Sequence, residues 1–369
     1  MKIASVQAYA YELTYAHGEY VMSKGRAAQR QHSTLVRIRT DQGLEGWGES
    51  STLGGTYLPA FAEGTRAAVQ VLAPALIGID PTNLAIVHRA MDAVLLGQSS
   101  AKSAIDIACW DILGKVANLP IATLLGGIAQ NDFPLYEAVP LAAPETMVDF
   151  VTMRAKAGIN RFQVKVGNDP LEDAQRTRSV VQACSTDAVI IADSNGGWNV
   201  PAAIIAVREM ADLRVYIEQP CRDTADCAIV QRHSSRPLVL DESVVNAAEL
   251  FRAKYEAGAS CVNIKLGRLG GISGAARMRD QAQDLGMSMC IEDVWGGDVT
   301  TAAVAHVAAS TAPEALLHAS FFNDWTKEHV ASYRPRSSLG RGSAPTGPGL
   351  GILVDAAALG AALFEVSRA

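Results

Sequence analysis

Short apolar runs that end on a charged residue recur along the middle of the chain. Five of them end, in order, at Lys165, Asp193, Glu218, Asp241 and Lys265. The steps between these positions are 28, 25, 23 and 24 residues, a length that suits one strand, one helix and two loops. A repeated strand–helix unit of this size predicts a parallel (β/α) barrel, whose strands end at a single mouth. The five charged side chains are therefore predicted to face one another across one pocket.

Apolar runs on either side of this stretch extend the predicted barrel to seven or eight strands. Residues 133–139 supply the first strand, and residues 287–293 and 315–321 supply the last two. Helices are predicted between the strands, for example at residues 170–184, where a proline opens the helix. The predicted fold class is α/β, a TIM-type (β/α)7–8 barrel, with the catalytic barrel domain at residues 126–329.

Residues 1–125 have a different pattern and are predicted to form a separate α+β domain. Strand-like segments come first, and helical periodicity follows from residue 58. The predicted strands are residues 3–9, 34–40 and 44–49, and the predicted loops are residues 15–31 and 50–57. A tail rich in Gly, Pro and Ser, residues 330–369, is predicted to run back across this domain and to include a short helix at 356–364.

The composition narrows the classes of function. The chain has 369 residues, 49% of them apolar, which is enough for a barrel and a second domain. Its formal net charge is −6 without a basic block, so nucleic acid is not an expected partner. No signal peptide or membrane-spanning run is found, and a cytoplasmic protein is expected. The six cysteines form no CxxC pair and are expected to be buried apolar residues in a reducing compartment.

Three consecutive predicted strands end on carboxylates. Asp193, Glu218 and Asp241 would present oxygen ligands that suit a hard divalent cation such as Mg²⁺. Charged residues also end strands because they reach solvent, but three in succession at steady spacing favour a metal site. Asn195 and Glu242 lie just beyond two of these positions, where they would orient the ligands or make ordinary loop contacts.

Lys165 and Lys265 flank the three carboxylates on the neighbouring strands. A nearby divalent cation and a second lysine disfavour the ammonium form, which lowers the pKa of a lysine towards that of a general base. Two such bases on opposite sides of a metal-bound carboxylate would reach both faces of its α-carbon. A lysine at a strand end also extends to water in many proteins, but the Lys-Val-Gly and Lys-Leu-Gly sequences favour the catalytic role.

This set of residues resembles the enolase superfamily, in its muconate-lactonising and mandelate-racemase-like branches. The resemblance covers essentially the whole chain, and it rests on the three spaced carboxylates, Gln-Val-Lys165, Asn-Ile-Lys265-Leu-Gly-Arg-Leu-Gly-Gly, Gly46-Trp-Gly-Glu49 and Leu124-Leu-Gly-Gly127. It implies that residues 1–125 are a capping domain whose two loops close over the barrel mouth. It also implies Mg²⁺-assisted removal of a proton next to a carboxylate, with a lysine as base.

The chain departs from the pattern of many relatives in two places. Gln163 stands where many relatives have another lysine on the second strand, so Lys165 is the only base expected there. A histidine at the end of the seventh strand is also absent, replaced by the acidic segment 292–298. His318, near the eighth strand, is expected to be structural. These departures leave the two lysines as the predicted bases.

The same positions favour a substrate that carries an amine beside its carboxylate. Asp293, Trp295 and Asp298 add acid and an aromatic ring to the mouth, and Gln-x-Lys with Asp-x-Trp-Gly-Gly-Asp resembles a subgroup that acts on proline derivatives. The leading expectation is dehydration of cis-3-hydroxy-L-proline. Phe321 stands near the eighth-strand position where betaine epimerases of this subgroup have tryptophan, which favours a free amine over a betaine.

Other activities stay open. They are 2-epimerisation of proline betaine or hydroxyproline betaine, epimerisation of dipeptides or N-acylamino acids, and a barrel that binds a metal-chelated carboxylate without catalysis. Specificity is expected to come from the cap, with Tyr20 and Tyr57 as candidate wall residues. The expected partners are a small carboxylate substrate and further copies of the chain in a homo-oligomer.

Overall fold

The computed structural model describes residues 1–331 and 336–367. The N-terminal region forms an antiparallel sheet covered by helices. Its strands are β1 Ile3–Thr14, β2 Tyr20–Val21, β3 Ala27–Ala28, β4 Arg30–Thr40 and β5 Glu45–Thr52, and its helices are α1 Ala62–Leu76, α2 Leu84–Val94, α3 Ser99–Ala117 and α4 Ile121–Leu124. β4 lies between β1 and β5 in the sheet, and β2 pairs with β3 in a separate hairpin. We call residues 1–125 the cap.

Two glycines allow the sheet of the cap to approach its longest helix. A Cβ atom built on Gly48 would lie 1.8 Å from the carbonyl oxygen of Ala104, and one on Gly46 would lie 2.1 Å from that of Ala108. Any side chain at either position would therefore collide with the backbone of α3. The Gly-Trp-Gly-Glu sequence seats β5 against α3, which fixes the platform that carries the two cap loops.

The second region is a parallel barrel. A short strand, β6 Phe133–Pro134, precedes it. The barrel strands are β7 Glu137–Val139, β8 Arg161–Lys165, β9 Val189–Asp193, β10 Val215–Glu218, β11 Leu238–Leu240, β12 Cys261–Lys265, β13 Ser288–Glu292 and β14 Leu316–Ala319. β7 to β14 form one eight-stranded sheet in sequence order. A parallel bridge between Leu135 and Ala319 joins its first and last strands, so the sheet curls round on itself.

Helices cover the outside of this sheet. They are α5 Pro144–Lys156, α6 Pro170–Ala183, α7 Val200–Glu209, α8 Thr224–Gln231, α9 Ala247–Tyr255, α10 Leu266–Leu269, α11 Ile272–Asp284 and α12 Asp298–Ala309. Side-chain caps start several of them: Asp169 accepts hydrogen bonds from the backbone N–H of Leu171 and Glu172, each at 3.0 Å, and Asn246 accepts one from Glu249 at 3.0 Å. Proline at the first turn of α6 adds to this start signal.

The C-terminal segment returns to both regions. β15 Arg341–Gly342 pairs with β6, and β16 Phe364–Ser367 pairs antiparallel with β1, where it forms an edge of the cap sheet. Short 3₁₀ helices occur at Ser23–Gly25, Phe322–Trp325 and Ala356–Leu359.

The predicted fold class is confirmed: a parallel eight-stranded curled sheet with a strand-rich N-terminal domain. The helix predicted at residues 356–364 is wrong, because Gly360, with φ of 72°, ends a single 3₁₀ turn and the chain then extends into β16. The strand predicted at residues 133–139 is divided, since Phe133–Pro134 pairs with β15 and only Glu137–Val139 joins the barrel. Residues 15–31 are not an open loop, because Tyr20 and Met22 are buried.

Two expectations drawn from the composition can be compared with this fold. In the described part of the chain, no helix is both long enough and apolar enough to cross a membrane. All six cysteines are free thiols, and all except Cys184 are buried. Their packing among apolar side chains agrees with the expected role as small buried residues.

Candidate active site

The barrel brings the five charged strand ends to one mouth. In the sheet, Asp193 is in register with Lys165 on one side and with Glu218 on the other. Asp241 directly follows β11, and Lys265 ends β12. All five side chains are at most 6% exposed. The spacing in the sequence therefore produces one buried cluster of three carboxylates between two lysines.

One lysine is paired with an acid at each end of this cluster. Lys165 Nζ donates to Asp193 Oδ2. Lys265 Nζ donates to Asp241 Oδ2 at 2.8 Å and to the hydroxyl of Tyr57, from the cap, at 2.7 Å. Both lysines thus sit between the carboxylates and the space above the mouth.

The electrostatics of the two lysines differ from the expected lowering of their pKa. Burial is the largest single effect and lowers the pKa of Lys165, but Asp193, Tyr20 and Glu218 together raise it by more, so the pKa lies above its usual range. Burial likewise lowers the pKa of Lys265, whereas Asp241 and Glu292 raise it, and the net change is again a rise. The expected lowering of the lysine pKa depends on a divalent cation that neutralises these carboxylates. Without the cation, the ion pairs with Asp193 and Asp241 determine the pKa of the two lysines.

Glu218, at the centre of the cluster, has no cation as hydrogen-bond partner among the described residues. It accepts hydrogen bonds from two amides, Gln163 Nε2 at 2.9 Å and Asn263 Nδ2 at 2.8 Å. Burial raises the pKa of Glu218 well above its usual range, and the charges of Asp193 and Asp241 raise it further. A divalent cation bound here would relieve the repulsion between the three buried carboxylates.

The carboxylate oxygens of Asp193, Glu218 and Asp241 are ligands that suit a hard cation, but they are not yet arranged around one point. Within residues 1–331 and 336–367, no three His, Cys, Asp or Glu side chains are already arranged as a cation-binding group. The reason lies in the ion pairs, since one carboxylate oxygen of Asp193 and one of Asp241 each accept from a lysine ammonium. Arg268 Nη1 holds the other oxygen of Asp241 at 2.6 Å. These are the contacts that Mg²⁺ would replace.

Asn195 and Glu242 form a small network beside the cluster. Asn195 Nδ2 donates to Asp193 Oδ2 at 2.9 Å and to Glu242 Oε1 at 3.0 Å. Burial, together with the charges of Asp241 and Asp193, raises the pKa of Glu242 to about 7. Asn195 therefore contacts the cluster directly, and Glu242 is linked to it through Asn195.

A cavity of about 20 Å³ lies directly above the lysines. This volume holds about one water molecule, so the mouth is closed in this conformation. Its polar lining includes Gln163, Lys165, Asn195, Lys265 and Glu292, and its aromatic lining is Tyr20, Tyr57, Tyr136, Trp295 and Phe322. The cap supplies Tyr20 and Tyr57, so both predicted wall residues lie at the mouth.

A larger groove lies on the cap, away from this chemistry. Its volume is about 590 Å³, and it is lined by the segment that follows Tyr57, by α1 and by the start of α3. The lining contains Phe61, Thr65 and Gln98 but no titratable side chain. The small closed cavity, which has two lysines and a glutamate, is therefore the candidate active site.

Three of the predicted site residues lie neither in the cavity lining nor among the carboxylates and the Asn195–Glu242 network described above. Asp293 accepts from the backbone N–H of Gly267 at 2.9 Å and of Val294 at 2.7 Å, and burial raises its pKa to about 7. Asp298 accepts from the backbone N–H of Val330 at 2.8 Å, below the mouth. Phe321 packs against Phe133, and its neighbour Phe322 lines the cavity instead.

The acid that the seventh strand supplies to the cavity is Glu292. Tyr136 Oη donates to Glu292 Oε2, and Asn263 Nδ2 donates to Glu292 Oε1 at 2.9 Å. Glu292 Oε1 is 3.4 Å from Lys265 Nζ. The sequence reasoning gave no role to Tyr136, Asn263 or Glu292. The sequence did contain a signal for Glu292, because it ends an apolar run as Lys265 does. The two residues are in register on neighbouring strands.

His318, expected to be structural, is buried beneath the cavity. Its ring lies 4.4 Å from that of Tyr136, centroid to centroid. Burial lowers the pKa of His318 well below its usual range, and Arg161 lowers it further, so the ring is neutral at physiological pH. A neutral ring against the face of Tyr136 supports that tyrosine in its position.

The fold and the site together define a class: an enzyme with a parallel (β/α) barrel, a capping domain, and lysines and carboxylates at the carboxyl ends of the strands. Residues 146–358 match the family model for "Enolase C-terminal domain-like" proteins, and residues 11–126 match the N-terminal domain of mandelate racemase and muconate lactonizing enzyme. The chain therefore belongs to the enolase superfamily, whose chemistry begins with removal of a proton.

Individual relatives narrow the comparison. The chain is 41% identical over 352 residues to a cis-3-hydroxy-L-proline dehydratase of Roseibium aggregatum, covering 95% of this chain and 96% of that protein. It is 32% identical over 314 residues to an N-succinyl-L-Arg/Lys racemase of Bacillus cereus, covering 84% and 85%. A mandelate racemase/muconate lactonizing enzyme-like structure from Roseovarius nubinhibens, complexed with magnesium, has 32% identity and a TM-score of 0.96 over the whole of both chains.

Proposed function

We propose that this enzyme dehydrates cis-3-hydroxy-L-proline to Δ1-pyrroline-2-carboxylate with the assistance of Mg²⁺. The observation that carries the proposal is the pair of lysines, Lys165 and Lys265, which line one small cavity and are each paired with an acid of the buried carboxylate cluster. The relative with 41% identity supports the choice of substrate. The size of the cavity supports it as well, because a five-membered ring requires less rearrangement of the cap than a dipeptide does.

Asp193, Glu218 and Asp241 would hold the Mg²⁺ ion, which would neutralise the charge that develops on the substrate carboxylate. A carboxylate held there places the α-carbon between the two lysine ammonium groups. One lysine, in its neutral form, takes the α-proton, and the resulting enediolate then expels the 3-hydroxyl. Loss of water gives an enamine, which becomes the Δ1-imine when a proton is added at C3 and the ring nitrogen loses one to solvent.

The test is a screen of proline-derived acids in D₂O, followed by proton NMR. The panel contains cis-3-hydroxy-L-proline, its trans isomer, L-proline and proline betaine. The expected result is pyrroline formation from the cis-3-hydroxy acid at a kcat/KM at least tenfold above that of any other member. An enzyme that exchanges α-hydrogen in another member of the panel but forms no pyrroline from this one would contradict the proposal.

A second function is favoured by one observation in the cavity. The ring of Trp295 lines it, stacked on Phe322 with the ring centroids 5.2 Å apart, and Tyr20 meets the same ring edge-on at 5.2 Å. Aromatic faces attract quaternary ammonium groups, so 2-epimerisation of a proline betaine is the alternative activity. Polarimetry with an enantiopure betaine separates the two, because only the epimerase causes the rotation to decay.

A further inference from the structure

Two titratable side chains in the cavity lining, Tyr136 and Glu292, have no role in the proton abstraction described above. Strands β9 to β11 lead to the three carboxylates, and β8 and β12 carry the two lysines. The remaining inward groups at the cavity are Glu292, at the end of β13, and Tyr136, just before β7. In the strand order, β13 and β7 lie beyond the two lysine-bearing strands from the three carboxylates. A substrate whose carboxylate lies beside the three acids would present its C3 substituent to this pair.

We propose that Tyr136 and Glu292 together deliver the proton that the leaving 3-hydroxyl needs, and that Lys165 is the base. This inference rests on the proposed dehydration. Tyr136 is 3% exposed and Glu292 1%, both line the cavity, and the phenol is hydrogen-bonded to the carboxyl group. They form a buried two-member relay with one end in the cavity.

The stereochemistry of the substrate determines which lysine acts first. In cis-3-hydroxy-L-proline the hydroxyl is on the same ring face as the carboxylate, so the α-hydrogen is on the opposite face. The base and the proton donor must therefore approach from opposite sides. Glu292 Oε1 is 3.4 Å from Lys265 Nζ, which places the acid of the relay on the Lys265 side. Lys165 is then the base on the other face.

The proton transfers balance. The neutral amine of Lys165 takes the α-proton, and the electron pair of the C–H bond passes into the enediolate. The enediolate forms the C2–C3 double bond as the C3–O bond breaks, and the hydroxyl leaves as water with the phenol proton of Tyr136. The carboxyl proton of Glu292 moves to Tyr136. Lys165 has gained one proton and Glu292 has lost one, and exchange with solvent after product release restores both.

The relay requires the hydrogen bond of the pair reversed, with Glu292 Oε2 as donor to the phenol, because Glu292 Oε1 accepts from Asn263. Burial favours the protonated forms that this arrangement needs. Burial raises the pKa of Glu292; Asp241 raises it further, while Lys265 lowers it, and the net direction is upward. Burial raises the pKa of Tyr136 well above its usual range, and Glu292 raises it further. The neutral ring of His318 packs against the phenol without competing for its proton.

The test compares two rates for the same substrate in D₂O, α-deuterium incorporation and pyrroline formation. Glu292→Gln and Tyr136→Phe should each slow pyrroline formation at least about 100-fold while α-exchange stays within about threefold of wild type. Tyr9→Phe, which removes a buried hydroxyl from the cap that donates to Gln7 at 3.0 Å, is the matched control for loss of a tyrosine hydroxyl. Circular dichroism melting establishes that each variant is folded.

A second probe tests the role independently of folding. Fluoride leaves without a full proton transfer, so elimination from cis-3-fluoro-L-proline should fall less than about tenfold in Glu292→Gln. Parallel loss with both substrates would overturn the inference, as would wild-type pyrroline formation by either variant. In Lys265→Ala the α-exchange should persist, and in Lys165→Ala it should disappear; the reverse would overturn the assignment of the base. A wild-type enzyme that exchanges without dehydrating would overturn the proposed function itself, and this inference with it.

Discussion

Buried carboxylates occur in two regions of this enzyme, and they are stabilised in opposite ways. At the junction of cap and barrel each has several donors of its own: Glu49 accepts from Ser33 Oγ at 2.7 Å, Gly297 N at 2.8 Å and Thr300 N at 2.9 Å. At the mouth, Glu218 has only two amides and faces two further carboxylates. The junction acids receive several donors from the fold. At the mouth, Asp193 and Asp241 are held by lysines, whereas Glu218 receives no cationic donor from the described residues.

The difference shows what each region does. A carboxylate saturated with hydrogen bonds holds distant parts of the chain in one arrangement, as Asp106 does when it accepts from Ser273 N at 3.0 Å and Ser273 Oγ at 2.6 Å. Carboxylates that repel one another raise the free energy of the protein alone and lower it when a cation or a substrate arrives. Substitutions at the junction should therefore reduce stability, and substitutions at the mouth should reduce turnover.

The largest effect is expected at the two lysines. Lys165→Ala and Lys265→Ala should each lower α-epimerisation of a proline substrate by about 10³-fold or more, because inversion needs a proton acceptor on one face and a donor on the other. Chiral chromatography of recovered substrate measures this. Epimerisation that survives in either single variant would contradict the two-base assignment.

A strong but reversible effect is expected from the metal. Treatment with a chelator should abolish turnover, and added Mg²⁺ should restore it. Asp193→Asn should raise the Mg²⁺ concentration needed for half-maximal activity by about 100-fold while the melting temperature changes little, since one donor and one unit of charge are lost. Titration of activity against Mg²⁺ provides the measurement. Full turnover in a metal-stripped sample would contradict the assignment of a metal site to these carboxylates.

At the junction, Asp106→Ala should have the opposite profile. It leaves the buried donors of Ser273 and the ring of His88 without their acceptor, so the free energy of unfolding should fall by about 3 kcal/mol. The kcat of the folded fraction should stay within about twofold. Denaturant unfolding and steady-state kinetics on the same sample check both statements. A large fall in kcat without loss of stability would erase the distinction between the two regions.

The smallest effect concerns pH and a junction histidine. Burial lowers the pKa of His306 to about 4, while the hydrogen bond to the carbonyl of Leu350 opposes this. The unfolded chain therefore binds more protons than the folded one between pH 4 and 6.5, and stability falls as the pH falls. Lowering the pH from 7.5 to 5.5 should cost about 1.4 kcal/mol, and His306→Gln should remove that dependence. Unfolding curves at several pH values would measure it.

The sequence predicted the mouth better than the junction for a physical reason. Lys165, Asp193 and Glu218 each end a short apolar run, and such a local pattern can be recognised from the sequence alone. The partners of Glu49 are backbone groups some 250 residues away in the sequence, which nothing in its neighbourhood indicates. The same limit hid Tyr136, whose relation to Glu292 exists only once the sheet curls round.

Helical turns that begin just after the strands explain the remaining differences at the site. Phe321 was predicted near the substrate, but a 3₁₀ helix begins at Phe322 and turns that side chain, rather than its neighbour, into the cavity. Asp298 was predicted at the mouth, but it is the first residue of α12 and binds backbone groups of the following segment. The domain boundaries, the homo-oligomeric state and the role of each site residue stay predictions.

The pairing of β1 with β16 has a consequence for synthesis of the protein. Ala8 lies opposite Phe364, so the edge of the cap sheet is completed by residues that leave the ribosome 356 positions later. Until then one edge of β1 has open hydrogen-bonding groups, which invites pairing with another nascent chain. The barrel can be translated in full before its cap is complete. A chaperone that shields this edge early should therefore improve the yield of the enzyme more than one that acts after release.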